Sequence, residues 1–226
     1  GKCSLTAAIP VLSVMGIQAC PMPTAVLTSQ TGFKSFYCND CTDKLDYYTS
    51  EWKKLGFQPD GIYTGFLSSE KQVDKILDFI NSFETENTLV LVDPVMGDGG
   101  RTYSLFTDAL ACKMKKLVTV ADVITPNLTE CCILCDVDYC KFIKNADKPD
   151  FMGKIADLGK DLLNRYGVKI VIITGIEHKD IDGTMYVQNL IASKDEVFSV
   201  SCKKIGGSYS GTGDLFASVM FSGLLR

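Results

Sequence analysis

With 226 residues, 46% of them apolar and 10% aromatic, the chain can bury a full core, which excludes disorder. A formal net charge of −4 with scattered basic residues excludes a nucleic-acid footprint or a polybasic membrane patch. The longest apolar runs, such as residues 168–173, are far too short to span a bilayer, and no signal-peptide pattern opens the chain, so a cytoplasmic protein is expected.

In chain order, Gly1-Lys2-Cys3-Ser4 reads as a turn entering a helix. Residues 25–28 form a strand, followed by a polar turn and a helix over 42–55. A short strand at 61–63 precedes a helix at 70–83, with Val73, Ile76, Leu77, Ile80 and Phe83 on one face. Strand 88–92 ends at Asp93-Pro94, helix 107–117 follows, and strand 123–125 ends at Pro126-Asn127. Residues 128–135 are helical, 136–150 are a loop or insertion, and 154–166 are helical. The most apolar strand, 168–174, is ended by Gly175. Strands 185–191 and 197–202 then form an antiparallel hairpin, and the last helix begins near Gly213.

Continuous apolar strands separated by helices imply a mainly parallel sheet covered on both faces, a three-layer α/β/α sandwich with an antiparallel hairpin in the C-terminal third. Ligands of such sheets bind beyond the carboxyl ends of the strands. Gln30-Thr31, Thr64-Gly65, Asp93, Asn127 and Thr174 all fall just past a strand, so polar residues recur where a ligand is expected. The pairs Cys38/Cys41 and Cys132/Cys135 have metal-like spacing but lie far apart, and Cys131, Cys132 and Cys135 sit in an apolar helix, where free cysteine acts as a small hydrophobe. His178 lies in a charged stretch and reads as a solvated loop residue. Gly1-Lys2 and Ser4 lack the spacing of a phosphate-binding P-loop.

Gly211-Thr212-Gly213-Asp214 opens the last helix. Glycines let a ligand approach the main chain, and the first turn of a helix offers unpaired N–H groups to an anion. A carboxylate there is unfavourable beside a phosphoryl group unless it accepts a proton from an attacking hydroxyl. The same string also suits a plain helix cap.

Gly211-Thr212-Gly213-Asp214 resembles the anion-hole signature of the ribokinase superfamily. Asp93-Pro94-Val95-Met96-Gly97-Asp98 and Thr125-Pro126-Asn127-Leu128-Thr129-Glu130 resemble two motifs of its vitamin-kinase branch, and the match is best with the pyridoxal kinase family, including bacterial pyridoxamine kinases. The resemblance implies ATP-dependent phosphorylation of the primary hydroxyl of a B6 vitamer. Asp214 would be the base, with Gly211, Thr212 and Gly213 as backbone donors that hold the transferring phosphoryl group. Asn127, Thr174, Asp93 and Glu130 would lie on the ATP side, with Asp98 and Glu130 acting on Mg2+ and Asp93 serving a monovalent cation such as K+ or the local hydrogen bonds. Thr31, Gln30 and Phe66 would contact the vitamer, although Phe66 also suits ordinary core packing. The family further implies a homodimer. It has a strand ahead of this chain's first residue, so residues 1–226 are expected to form a single domain lacking its first strand and last helices.

The nearest rival is hydroxymethylpyrimidine (phosphate) kinase of thiamin synthesis. That family usually carries cysteine at the position of Asp214 and differs after Met96, and both differences favour pyridoxal kinase. A non-catalytic pyridoxal phosphate or nucleotide sensor would have no use for Asp214. A nicotinamide oxidoreductase would need a Gly-x-Gly-x-x-Gly string, which the sequence lacks.

Overall fold

The computed structural model describes residues 3–144, 146, 148–207 and 209–226. In chain order it begins with α1 (Leu5–Val14), β1 (Ala25–Leu27), β2 (Cys38–Asp40), one 3-10 turn (Thr42–Lys44) and α2 (Leu45–Lys54). Next come β3 (Gly61–Thr64), α3 (Glu70–Phe83), β4 (Leu89–Val92), β5 (Gly97–Asp98), β6 (Arg101–Thr102), α4 (Asp108–Val118), β7 (Val123–Ile124) and α5 (Leu128–Leu134). α6 (Tyr139–Ile143), α7 (Phe151–Tyr166), β8 (Ile170–Lys179), β9 (Met185–Ser193), β10 (Val197–Lys203) and α8 (Thr212–Leu224) complete it.

Six strands make the central sheet, in the order β10-β9-β8-β7-β4-β3. β3, β4, β7 and β8 are parallel, and β9 and β10 add the expected antiparallel hairpin. Successive strand side chains point to opposite faces. Val90, Val92, Ile124, Val171 and Ile173 therefore enter one core with α3, α4, α5 and α7, while Leu91, Val123 and Ile172 enter a second with α1 and α8. Each such buried side chain contributes roughly 1.5–3 kcal/mol. The result is the three-layer α/β/α sandwich read from the strand pattern. α3 spans the expected residues because Ser69 caps it, accepting from Gln72 N at 3.4 Å, while Val73, Ile76, Ile80 and Phe83 are buried. Cys131, Cys132 and Cys135 are buried in the core, as small hydrophobes would be. Among the described residues no helix is long and apolar enough to cross a membrane.

Four expectations are corrected. The strand at 25–28 lies outside the central sheet: β1 pairs with β2 in a separate two-stranded flap. Gln30 and Thr31 therefore follow a flap strand rather than a strand of the main sheet. The stretch 136–150 contains α6, started by Asp138, whose side chain accepts from Lys141 N at 3.0 Å. Gly175 interrupts β8 without ending it: the register with β9 shifts between Ile173 and Ile176, and the strand runs on to Lys179. His178 thus sits in a paired strand, half-buried and stacked on Tyr186 at 5.5 Å, not in a solvated loop.

Candidate active site

Parallel strands deliver their carboxyl ends to one edge of the sheet, and the residues after them meet there. Asp93 follows β4 and donates its N–H to Thr64 O at the end of β3 (2.9 Å). Asn127 bridges to Thr174, whose N–H donates to Pro126 O at 2.9 Å. A continuous cleft of about 2750 Å³ borders this edge and extends past α1 and β3 to the opposite strand ends, at Asp60, Leu89, Asp122 and Lys169. Its lining includes Gln30, Thr31, Phe66, Asp93, Asp98, Asn127, Glu130, Thr174, Gly211, Thr212, Gly213 and Asp214, so every candidate site residue borders it. That volume exceeds the usual 300–1,000 Å³ of a pocket for one small molecule.

The start of α8 is built to face that space. Gly211 occupies the cap position with φ 90 and ψ 3, a left-handed conformation that a side chain disfavours. Among the described residues no side chain caps the helix, and the first helical bond runs from Leu215 N to Gly211 O at 3.0 Å. The amides of the first turn are thus left to the cleft, at the positive end of the helix dipole. The Thr212 hydroxyl turns back to Tyr209 O (3.2 Å), tightening the entry loop. Asp214 is half-buried in this turn, and its carbonyl accepts from Ser218 Oγ at 2.6 Å.

Carboxylates converge on the same place. Burial first, and the charge of Asp214 second, push Asp93 up to about 7, against the stabilising hydrogen bond from Thr125 Oγ1 at 3.1 Å. Tyr103 is pushed up to about 12 by burial and then by Glu130, Asp98, Asp93 and Asp214, which gather four carboxylates around one phenol. Tyr63, packed on Phe221 at 5.8 Å, is raised by burial and then by Asp93 and Asp214. Asp214 is the second cause of the rise of Asp93, so Asp214→Asn is expected to bring the Asp93 carboxyl down from about 7 toward the ordinary carboxylate range. Carboxyl NMR titrations of both proteins from about pH 5 to 9 check this, and an unchanged Asp93 midpoint would count against the repulsion.

Glu130 and Asn127 form a capping box at the start of α5: Asn127 Oδ1 accepts from Glu130 N at 3.0 Å and Glu130 Oε2 from Asn127 N at 2.8 Å. Glu130 Oε1 also accepts from Met96 N at 3.0 Å, and Asn127 Nδ2 donates to Gly97 O at 2.8 Å. Both side chains thus grip the β5–β6 hairpin. Burial and then Asp93 raise Glu130, while the amides of Asn127, Met96 and Gly97 pull the other way. Asp98 is exposed on that hairpin, with Oδ1 accepting from Gly99 N at 2.8 Å. On the opposite side the flap reaches over the cleft, where Ser104 Oγ donates to Thr31 O at 3.5 Å. Its base is held by buried Gln72, which donates to Thr24 O (2.7 Å) and Asp40 Oδ2 (3.3 Å). Half-buried Phe66 accepts through its carbonyl from Thr24 Oγ1 at 3.0 Å.

Reading the sequence missed Tyr63, Tyr103 and Thr125 as neighbours of the carboxylates. Thr125 could have been found, because it stands in the Thr-Pro-Asn string; the two tyrosines carry no local signal.

A family model described as phosphomethylpyrimidine kinase matches residues 5–226. A pyridoxal kinase homologue of Schizosaccharomyces pombe is 29% identical over 207 residues, covering 89% of this chain, which spans only 57% of that relative's length. A phosphomethylpyrimidine kinase homologue from Bacteroides thetaiotaomicron, solved with pyridoxal, superposes with a TM-score of 0.89 at 38% identity, covering 100% of this chain and 76% of that one. Pyridoxal kinase from Lactobacillus plantarum superposes with a TM-score of 0.83 at 25% identity, covering 99% of this chain and 76% of that one.

Proposed function

The chain belongs to the phosphomethylpyrimidine kinase family, and on that premise we propose that it phosphorylates the primary 5′ hydroxyl of pyridoxal, pyridoxine or pyridoxamine with ATP. The observation that carries this reading is Asp214 in the first turn of a helix whose glycine-led start, Gly211 to Gly213, borders the cleft with it. Pyridoxal in the 38% identical homologue from Bacteroides thetaiotaomicron supports the choice of acceptor.

In this reading Asp214 accepts the proton of the attacking hydroxyl, and the first-turn amides of α8 take the charge on the phosphoryl oxygens. Phosphoryl transfer needs little else beyond positioning and charge stabilisation. The ATP phosphates lie along Thr174 and the Asn127 loop, and the vitamer lies under the flap near Gln30, Thr31 and Phe66. Among the described residues no three His, Cys, Asp or Glu side chains form a metal cage. Mg2+ carried on nucleotide phosphates keeps several waters and needs few protein ligands, and a hard carboxylate oxygen suits it. Asp98 is the exposed carboxylate that would join it, whereas Glu130, with both oxygens on amides, would act by holding the Asp98 hairpin. Bound there, Mg2+ would neutralise charge on the nucleotide phosphates. A monovalent cation beside Asp93 would ease its repulsion with Asp214. Residues 1–226 would act as one kinase domain, in a cytoplasmic homodimer.

Turnover of pyridoxal, pyridoxine, pyridoxamine and hydroxymethylpyrimidine with MgATP, measured side by side, tests the proposal. The B6 5′-phosphates are expected as the main products. Faster turnover of hydroxymethylpyrimidine would move the chain to the thiamin-pathway reaction, and tight nucleotide binding without turnover of any acceptor would make it a sensor.

A further inference from the structure

The turn that joins β5 to β6 consists of Gly99 and Gly100, both with positive φ (57 and 77). This is what a two-residue hairpin loop requires, but two glycines leave it free to flex. Asp98 stands directly before that turn, so its carboxylate can be no better placed than the turn itself.

The turn is pinned from outside its own hairpin. Thr129 Oγ1, on the second residue of α5, accepts from Gly100 N at 2.9 Å. The ring of Tyr139, the first residue of α6, lies directly on the turn: a Cβ at Gly100 would come within 2.5 Å of its Cδ1 and 2.6 Å of its Cε1. Tyr139 is half-buried, and burial first, then the Asp98 charge, push its phenol up, against the Thr129 side chain. Asn127 and Glu130 hold the other end of the hairpin through Gly97 O and Met96 N. The root of the hairpin is thus fixed by α5, and its tip is clamped between Thr129 and Tyr139.

We infer that Thr129 and Tyr139 are positioning residues whose brace on the Gly99–Gly100 turn sets Asp98, which makes α6 a support for the metal–nucleotide side of the cleft. The brace is a matter of packing and stands by itself, while its consequence for metal rests on the proposed kinase function. Tyr139 touches no reacting atom in this scheme. It acts only through the hairpin.

Two measurements on the 226-residue protein separate these parts. Hydrogen exchange of residues 96–103, without metal or nucleotide, reads the brace. Binding of MnATP, followed by electron paramagnetic resonance, reads Asp98. In Tyr139→Ala, residues 96–103 should exchange about 10-fold faster while α3 keeps its protection. MnATP should bind about 10-fold more weakly, the scale on which outer supports tune a metal site. Tyr139→Phe keeps the wall and should restore most of both. Unchanged exchange over 96–103 in Tyr139→Ala would overturn the brace, and faster exchange with unchanged MnATP affinity would overturn the positioning role. Should Tyr139→Ala fail to fold, Thr129→Val, which removes the acceptor for Gly100 N, carries the same comparison. A wild-type protein that binds MnATP but phosphorylates no acceptor would refute the kinase reading without touching the brace.

Discussion

Asp214→Asn is expected to lower kcat for pyridoxal by about 10³-fold and leave the KM for ATP within about two-fold, because only the proton acceptor is lost. The amide has nearly the size of the carboxylate, so the start of α8 should keep its shape. The bond from Ser218 Oγ goes to the carbonyl of residue 214, which the substitution retains. Electrostatics also argue against unfolding as an explanation. Asp214 is the second-largest cause of the raised Asp93, after burial, so removing its charge relieves a repulsion. The melting temperature should hold or rise at neutral pH while turnover collapses. Steady-state kinetics and a thermal melt on the same preparation decide it, and a kcat within ten-fold of wild type would remove Asp214 from the chemistry.

Gly213→Val should show the complementary pattern: kcat/KM down by about 10²-fold or more, with a melting temperature within about 2 °C. Among the described residues nothing beyond its chain neighbours and its own helix backbone lies within 4 Å of where a Cβ at Gly213 would stand, and the residue is exposed in the first turn of α8. Folding therefore has little to lose. The same empty space is where the transferring phosphoryl group must approach the amides, and two added methyl groups would fill it. Gly211 is the poorer choice for this test, because its φ of 90 would add backbone strain to any loss of activity. If Gly213→Val phosphorylates pyridoxal normally, the phosphoryl group does not pass beside this turn.

How much of the site could be read in the chain depended on distance along it. Asp93, Asn127 and Asp214 each stand at the end of a strand or the start of a helix, and periodicity locates such boundaries; Thr174, expected just past a strand, lies inside β8 at its register shift. Glu130 belongs with them, since a capping box is a local pattern of asparagine and glutamate three residues apart. What was read into these residues changed once their partners were visible. Asn127 and Glu130 have their side chains bonded to the hairpin and to each other, which makes them supports for Asp98 before they are anything else. The flap was misread for the opposite reason. Residues 25–28 have the composition of a strand, and composition does not say which sheet a strand will join.

β2, the β5–β6 hairpin and α6 went unread, but the sequence by itself determined the order of the main-sheet strands and of the long helices, the covering of both faces of the sheet and the glycine turn before Asp214. All of these follow from side-chain periods of 2 and 3.6 and from the conformational freedom of glycine within a few residues. Only the tertiary structure decided that β1 and β2 leave the main sheet as a flap tied down by Gln72, that β8 continues beyond Gly175, and that Tyr139 closes on Gly100. The tie on the flap and the clamp on the hairpin depend on contacts between residues 30 or more positions apart, such as Gln72 with Asp40 (32 apart) and Tyr139 with Gly100, whereas β8 continues by pairing with its neighbour in the chain, β9, from Ile176–Gln188 to Lys179–Met185. Packing a shared core selects such contacts, and no local pattern encodes them.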